Sequence, residues 1–158
     1  MPRLENGDKF PSLQLPLVGG DSVTLPDDLA GDFGVVLIYR GSWCPYCNTQ
    51  LAAFSRAKAD LDTAGIKVVA LSVDDEATST DLVEKRRLNF PIAHSADAGA
   101  VAETVGAYVN DDPRYLQSTG FVLAPDGSVV TAVYSSGAIG RLLPDDVVGL
   151  VRYAKKNG

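Results

Sequence analysis

Two strongly apolar runs, Val35-Val36-Leu37-Ile38-Tyr39 and Ile66-Lys67-Val68-Val69-Ala70-Leu71-Ser72-Val73, restrict the fold more than any other feature of the chain. A stretch without polar alternation suits a strand buried on both faces, and such strands occur where helices cover both sides of a sheet. Between the runs the period changes. Cys47, Leu51, Phe54 and Leu61 fall at helical spacing, with Arg56, Lys58 and Asp60 interleaved, and Gly65 is placed to end the helix. Strand, helix and strand in this order predict a βαβ unit with one helix over 47–64.

The remaining segments extend that unit. Leu13-Gln14-Leu15 and Val23-Thr24-Leu25 flank the turn-prone Gly19-Gly20-Asp21 and read as an N-terminal hairpin. Asp74-Asp75 can cap a helix running to about Leu88, with Lys85-Arg86-Arg87 at its negative end. Pro91-Ile92-Ala93 is a short extended piece, and 98–105 a short helix. Asp111-Asp112-Pro113-Arg114 reads as a solvated loop leading towards the rim of the site. Phe121-Val122-Leu123 and Val129-Val130-Thr131-Ala132-Val133 are strands joined by Ala124-Pro125-Asp126-Gly127-Ser128, and a last helix starts near Pro144. With no repeat or linker, the 158 residues are expected to form one domain, 1–158. A chain of this length buries roughly 70% of its unfolded surface and needs no covalent staple.

A net charge of −6 argues against a nucleic-acid or anionic-membrane partner, both of which require a basic footprint. No apolar run approaches the ~20 residues of a membrane span, and Met1 to Gly7 do not resemble a signal peptide. The expected location is the cytoplasm, where most thiols are kept reduced.

That setting gives the cysteines their meaning. The chain has two, in Trp43-Cys44-Pro45-Tyr46-Cys47, and a bridge between them closes too small a loop to stabilise the fold much. They lie where a strand hands over to a helix, with Pro45 suited to the first helical position. The free N–H groups and positive dipole end of that helix favour a thiolate, so the Cys44 pKa is expected to fall into the roughly 3.5–7.5 range of such motifs. Cys44 is expected to be solvent-reachable, and Cys47, one turn further in, to be more buried and to resolve a mixed disulfide. Trp43 would shield the pair and offer a flat docking face. A zinc site needs four ligands, which one cysteine pair and the single His94 do not supply, so no metal is expected. His94 reads as a structural histidine, and Gly137-Ala138-Ile139-Gly140-Arg141 as a loop.

With these residues in view, the chain resembles the thioredoxin superfamily, specifically its peroxiredoxin-like AhpC/TSA branch. The resemblance rests on Gly7-Asp8-Lys9-Phe10-Pro11, Asp27-Asp28-Leu29, the run from Tyr39 to Cys47, and Phe90-Pro91-Ile92. It continues through Ala100-Val101-Ala102 and Val105-Gly106-Ala107-Tyr108 to Gly120-Phe121-Val122-Leu123-Ala124-Pro125-Asp126-Gly127. It implies an α/β thioredoxin fold of the peroxiredoxin-like variant: a central mixed β-sheet flanked by helices, with an N-terminal β-hairpin. It also implies an antioxidant oxidoreductase without a bound cofactor. Its reductant would be thioredoxin, a glutaredoxin-like protein or a low-molecular-weight thiol, and its substrate a disulfide or a peroxide.

The resemblance carries roles over in two registers. In the thioredoxin register Cys44 is the nucleophile, Cys47 resolves, and a cis-proline position falls on Ser118. In the gapless peroxiredoxin register the family's proline falls on Arg40, its threonine on Cys44, its peroxidatic cysteine on Cys47, and its activating arginine on Ser118. Arg40 or Arg114 could then supply a guanidinium. The favoured expectation is reduction of protein disulfides by a Cys44–Cys47 dithiol, with slower peroxide reduction because two usual donors are missing. The alternatives are a genuine thiol peroxidase, with Cys47 peroxidatic and Cys44 resolving, or a redox sensor that does not turn over.

Overall fold

The computed structural model of the chain describes residues 3–157. In chain order the elements are β1 (Leu13–Pro16), β2 (Ser22–Leu25), a 3-10 turn at Asp27–Leu29, β3 (Phe33–Ile38), α1 (Pro45–Arg56) and α2 (Lys58–Thr63). Then come β4 (Ile66–Leu71), α3 (Glu76–Arg86), β5 (Ile92–Ala93), α4 (Ala98–Val105), β6 (Val109–Asp111) and β7 (Arg114–Leu116). The chain closes with β8 (Thr119–Leu123), β9 (Val129–Tyr134) and α5 (Pro144–Asn157).

The two apolar runs form the centre of a five-stranded mixed sheet ordered β5-β4-β3-β8-β9. β3 pairs with β4 in parallel and with β8 antiparallel, and its residues from Gly34 to Ile38 are buried. Alternation along β3 divides the interior. Val35, Leu37 and Tyr39 pack with Leu51, Phe54, Leu61, Leu82 and Val151, the inward residues of α1, α2, α3 and α5. Val36 and Ile38 face the other way, onto Leu15, Val23 and Leu25 of the N-terminal hairpin and Val101 and Val105 of α4. Helices therefore cover both faces, as the sequence predicts for strands of this composition. Among the described residues, no helix is long and apolar enough to cross a membrane.

Two expectations are corrected. The single helix over 47–64 is interrupted at Ala57 (φ −87°, ψ 6°), whose N–H turns to both Ala53 and Ser55 carbonyls, and α2 starts afresh at Lys58. The Asp111–Arg114 loop is the tip of a short hairpin, β6 with β7, whose Asn110↔Tyr115 pairing is hidden in the sequence by the low strand propensity of Asn and Asp. The helix expected after Asp75 does begin there: the Asp75 carboxylate accepts the Thr78 N–H at 2.8 Å.

Candidate active site

The site lies at the end of the sheet where β3 finishes. Register places Ile38 opposite Thr119, and Thr119 opposite Tyr134, so the segments after β3, before β8 and after β9 all emerge at one edge. After β3 the chain crosses a short loop, and Cys44, with extended backbone (φ −86°, ψ 113°), becomes the N-cap of α1 with Pro45 at the first helical position. Its sulfur accepts the Cys47 N–H at 3.2 Å, taking the part that a Ser, Thr or Asp oxygen plays at most helix starts. The Cys47 thiol points back to it, with the sulfurs 2.6 Å apart.

Two guanidiniums close over the pair. Arg40 Nη1 lies 3.8 Å from Cys44 Sγ, while its Nε donates to Gln117 at 3.1 Å and its Nη2 to the Tyr115 hydroxyl at 2.9 Å. Its Cζ sits 4.9 Å from the Trp43 ring centre and 5.2 Å from that of Tyr115. Arg141, on the segment between β9 and α5, directs Nη2 to both sulfurs, 3.1 Å from Cys47 and 3.7 Å from Cys44. Its Nη1 donates to the Ala138 carbonyl. From behind, the Asp74 carboxylate accepts the Ser42 N–H at 2.8 Å and fixes the loop that carries Arg40 and Trp43.

These groups divide the two thiols electrostatically. Burial pushes the Cys44 thiol up, but hydrogen bonds from the Cys47 thiol and N–H, with Arg40 and the charge of Arg141, outweigh it and hold Cys44 below the ordinary thiol range. Cys47 goes the other way. Burial and its role as donor to Cys44 raise it, against smaller lowering by the Arg40 N–H and Arg141. Of the two thiols, Cys44 is therefore the one that ionises more readily. Burial also pushes the nearby Tyr39 phenol up to about 12, so it stays neutral.

The structure places the remaining sequence-predicted residues as follows. Both cysteines are 0% exposed, so the expectation of a solvent-reachable Cys44 is corrected: the Arg40 and Arg141 guanidiniums and the Cys47 thiol converge on its sulfur. Trp43 is 53% exposed and packs edge-on to Tyr115 at 4.9 Å, so it covers Arg40 rather than the sulfurs. Ser118 is buried; its carbonyl accepts the Ser135 N–H, and among the described residues no hydrogen bond joins it to either sulfur. Arg114 pairs with Asp111 at 3.2 Å, exposed and outside this cluster. His94 is buried beside Ser95, with Glu76 at 3.7 Å. The sequence alone does not mark Arg141, Tyr115 or Gln117 as part of the site. Among the described residues, no set of three or more His, Cys, Asp or Glu side chains is gathered to hold a metal.

The AhpC/TSA family model matches residues 6–132 of the chain, a range that includes Arg40 and both cysteines. The chain belongs to the AhpC/TSA family. A peroxiredoxin of Methanothermobacter thermautotrophicus is 28% identical over 152 residues, covering 92% of this chain and 71% of that one. A Mycobacterium tuberculosis protein whose name places it with the peroxiredoxins is 32% identical over 147 residues, or 89% of this chain and 91% of its own. In fold, this AhpC/TSA chain superposes on the crystal structure of peroxidoxin BcpB from Mycobacterium tuberculosis with a TM-score of 0.82 at 21% identity, covering 96% and 98% of the two chains. On Enterococcus faecalis AhpC the TM-score is 0.83 at 15% identity, covering 98% and 94%. As an AhpC/TSA protein with peroxiredoxin relatives, the chain is a thiol-dependent oxidoreductase of the antioxidant type.

Proposed function

We propose that the protein is a thiol peroxidase that reduces hydroperoxides by cycling Cys44 and Cys47 between dithiol and disulfide. The observation that carries this reading is Arg141 Nη2 spanning both sulfurs, 3.1 and 3.7 Å away, with Arg40 on the other side of Cys44. A peroxidase must hold a thiolate and stabilise the charge that leaves as the O–O bond breaks, and preorganised donors in a water-poor site are the strongest means of doing so. The reading of slow peroxide reduction rests on donors missing at Cys44 and Ser118, and the two guanidiniums supply donors from other positions.

In the proposed cycle the Cys44 thiolate attacks one oxygen of ROOH. An S–O bond forms, the O–O bond breaks, and the departing oxygen takes a proton to leave as ROH. The Cys47 sulfur then attacks the Cys44 sulfenic acid, the S–S bond forms and water leaves. No second subunit is needed, because the sulfurs already lie 2.6 Å apart. Two external thiol groups, from one dithiol or two monothiols, return two electrons by exchange through a mixed disulfide and leave as a disulfide. Half-exposed Trp43 and Tyr46, on either side of Cys44, offer a protein or small-molecule thiol a surface to approach. A reducing compartment such as the cytoplasm suits a pair that rests as the dithiol.

The test is mass spectrometry after one equivalent of hydrogen peroxide. The reduced protein should lose two hydrogens and keep no oxygen. Cys47→Ser should accumulate sulfenic acid on Cys44, and Cys44→Ser should stop consuming peroxide. Sulfenic acid on Cys47 in Cys44→Ser would instead give the first attack to the sulfur nearer Arg141, reversing the order within the pair. Exchange with disulfides but none with peroxide would refute the peroxidase reading.

A further inference from the structure

Arg141 reaches the sulfurs from an irregular segment, so something must hold that segment in register with α1. Part of it is folded on itself. The Ser135 hydroxyl donates to the Gly137 and Ile139 carbonyls, and the Ser135 N–H to the Ser118 carbonyl at 3.0 Å. None of these contacts refers the segment to the helix that carries the cysteines. Gln50 does. It lies on α1 three residues after Cys47, only 4% exposed, and its Nε2 donates to the carbonyl of Leu142, the residue after Arg141, at 2.9 Å. On its other side Leu142 rests on Gly120 of β8, where an added Cβ would meet Leu142 Cδ1 at 2.7 Å and Cγ at 3.0 Å.

We propose that Gln50 is a positioning residue of the active site, which through the Leu142 carbonyl sets Arg141 over the Cys44/Cys47 pair. This rests on the role given to Arg141 above. As a packing element the amide is a poor choice. Among the described residues its Oε1 is buried without a partner, and an apolar side chain of similar size would fill the space without that penalty. What only the amide supplies is the N–H to the segment beside Arg141. Among the described residues the guanidinium is sparsely tethered: its Nε is buried without a hydrogen-bond partner, its Nη1 bonds within its own segment, and its Cζ lies 5.9 Å from the Tyr46 ring centre. With no side-chain hydrogen bond to it from another element besides the thiols among the described residues, its placement leans on the backbone at Leu142. One helix presents the Cys47 sulfur at its first turn and, one turn later, fixes the segment whose guanidinium spans both sulfurs.

The experiment compares Gln50→Met, Gly120→Ala and Arg141→Ala singly, and Gln50→Met with Arg141→Ala together. It reads thiolate absorbance against pH, peroxide consumption at neutral pH, and thermal unfolding. Gln50→Met keeps the volume and removes the donor, so it should move the thiolate midpoint upward and slow peroxide reduction about tenfold. Gly120→Ala pushes Leu142 from the β8 side and should move the midpoint the same way, which keeps the test open if Gln50→Met folds badly. In the Arg141→Ala background, Gln50→Met should add nothing to the midpoint shift, since the group it positions is gone. An unmoved midpoint in Arg141→Ala overturns the role of Arg141 and this proposal with it. A moved midpoint there, with Gln50→Met changing only thermal stability or adding in full to Arg141→Ala, overturns the proposal alone.

Discussion

The two guanidiniums over the dithiol are held in opposite ways. Arg40 lies two residues past β3; its Nε and Nη2 are taken by Gln117 and Tyr115 while Trp43 packs over its face, and its Nη1 is left 3.8 Å from the Cys44 sulfur. Arg141 comes from 97 residues beyond Cys44, has the Ala138 carbonyl as its hydrogen-bond partner apart from the thiols, and sits 3.1 Å from Cys47. A guanidinium with its N–H groups already bonded is a fixed wall of positive charge. One whose N–H groups face the sulfurs can follow charge as it moves from thiolate to departing oxygen. Arg40 is thus suited to shaping the site and Arg141 to serving the transition state.

The largest expected effect follows from that difference. Arg141→Ala should lower the second-order rate with hydrogen peroxide about a hundredfold, the usual scale for losing one preorganised donor. Arg141→Lys should recover only part of it, because an ammonium restores charge without the planar fork. Arg40→Ala should cost less, about tenfold, or ~1.4 kcal/mol of barrier. Stopped-flow measurement under identical conditions orders the two, and a larger loss at Arg40 would break the comparison.

The pH profile sharpens the same point. Cys44 is held below the ordinary thiol range, and the reactive form is the thiolate, so the rate should reach its plateau at a lower pH than an ordinary thiol allows. It should fall only as acid protonates Cys44 below its lowered pKa. Without Arg141 the acid limb should move upward. Tyr115→Phe removes one bond to Arg40 and leaves its Gln117 contact, so a change of about threefold or less is expected, on the scale of a single hydrogen bond.

The same contrast explains what could be read from the sequence. The apolar strands, the helix between them and the cysteine pair at its start are local patterns, and burial and N-cap chemistry fix them within a few residues. Arg40 could be suspected because it is four residues from Cys44. Arg141 could not be located that way. It reaches the site because β8 and β9 form an antiparallel hairpin, and Ile38↔Thr119↔Tyr134 returns the chain to the edge where β3 ends. A signal was present: Arg141 is the one charged residue in Ser135-Ser136-Gly137-Ala138-Ile139-Gly140-Arg141-Leu142-Leu143, just after that hairpin. Its meaning depends on strand register, which local composition does not encode. The burial of Cys44 was missed for a related reason, since the groups that cover it come from three separate segments.

The smallest expected effect tests whether the Arg40 side is held by shape or by charge. Asp74 supports that side by accepting the Ser42 N–H, and burial raises its carboxyl pKa, only partly opposed by that hydrogen bond. A folded-state pKa above the unfolded one means that the fold favours the protonated acid. Stability from this group is then fully present below the unfolded carboxylate pKa and is lost as pH rises through the folded value, so at neutral pH the ionised side chain works against folding. Asp74→Asn keeps an acceptor for Ser42 and removes the charge. It should unfold at a slightly higher temperature than the parent at pH 7 and at about the same temperature near pH 3, with a flatter profile between. Its peroxide rate should stay within about twofold, since neither sulfur nor guanidinium loses a partner. A rate loss as large as that of Arg40→Ala would show that the Arg40 loop depends on a negative charge behind it, and that Arg40 is less firmly fixed than its bonds to Gln117 and Tyr115 suggest.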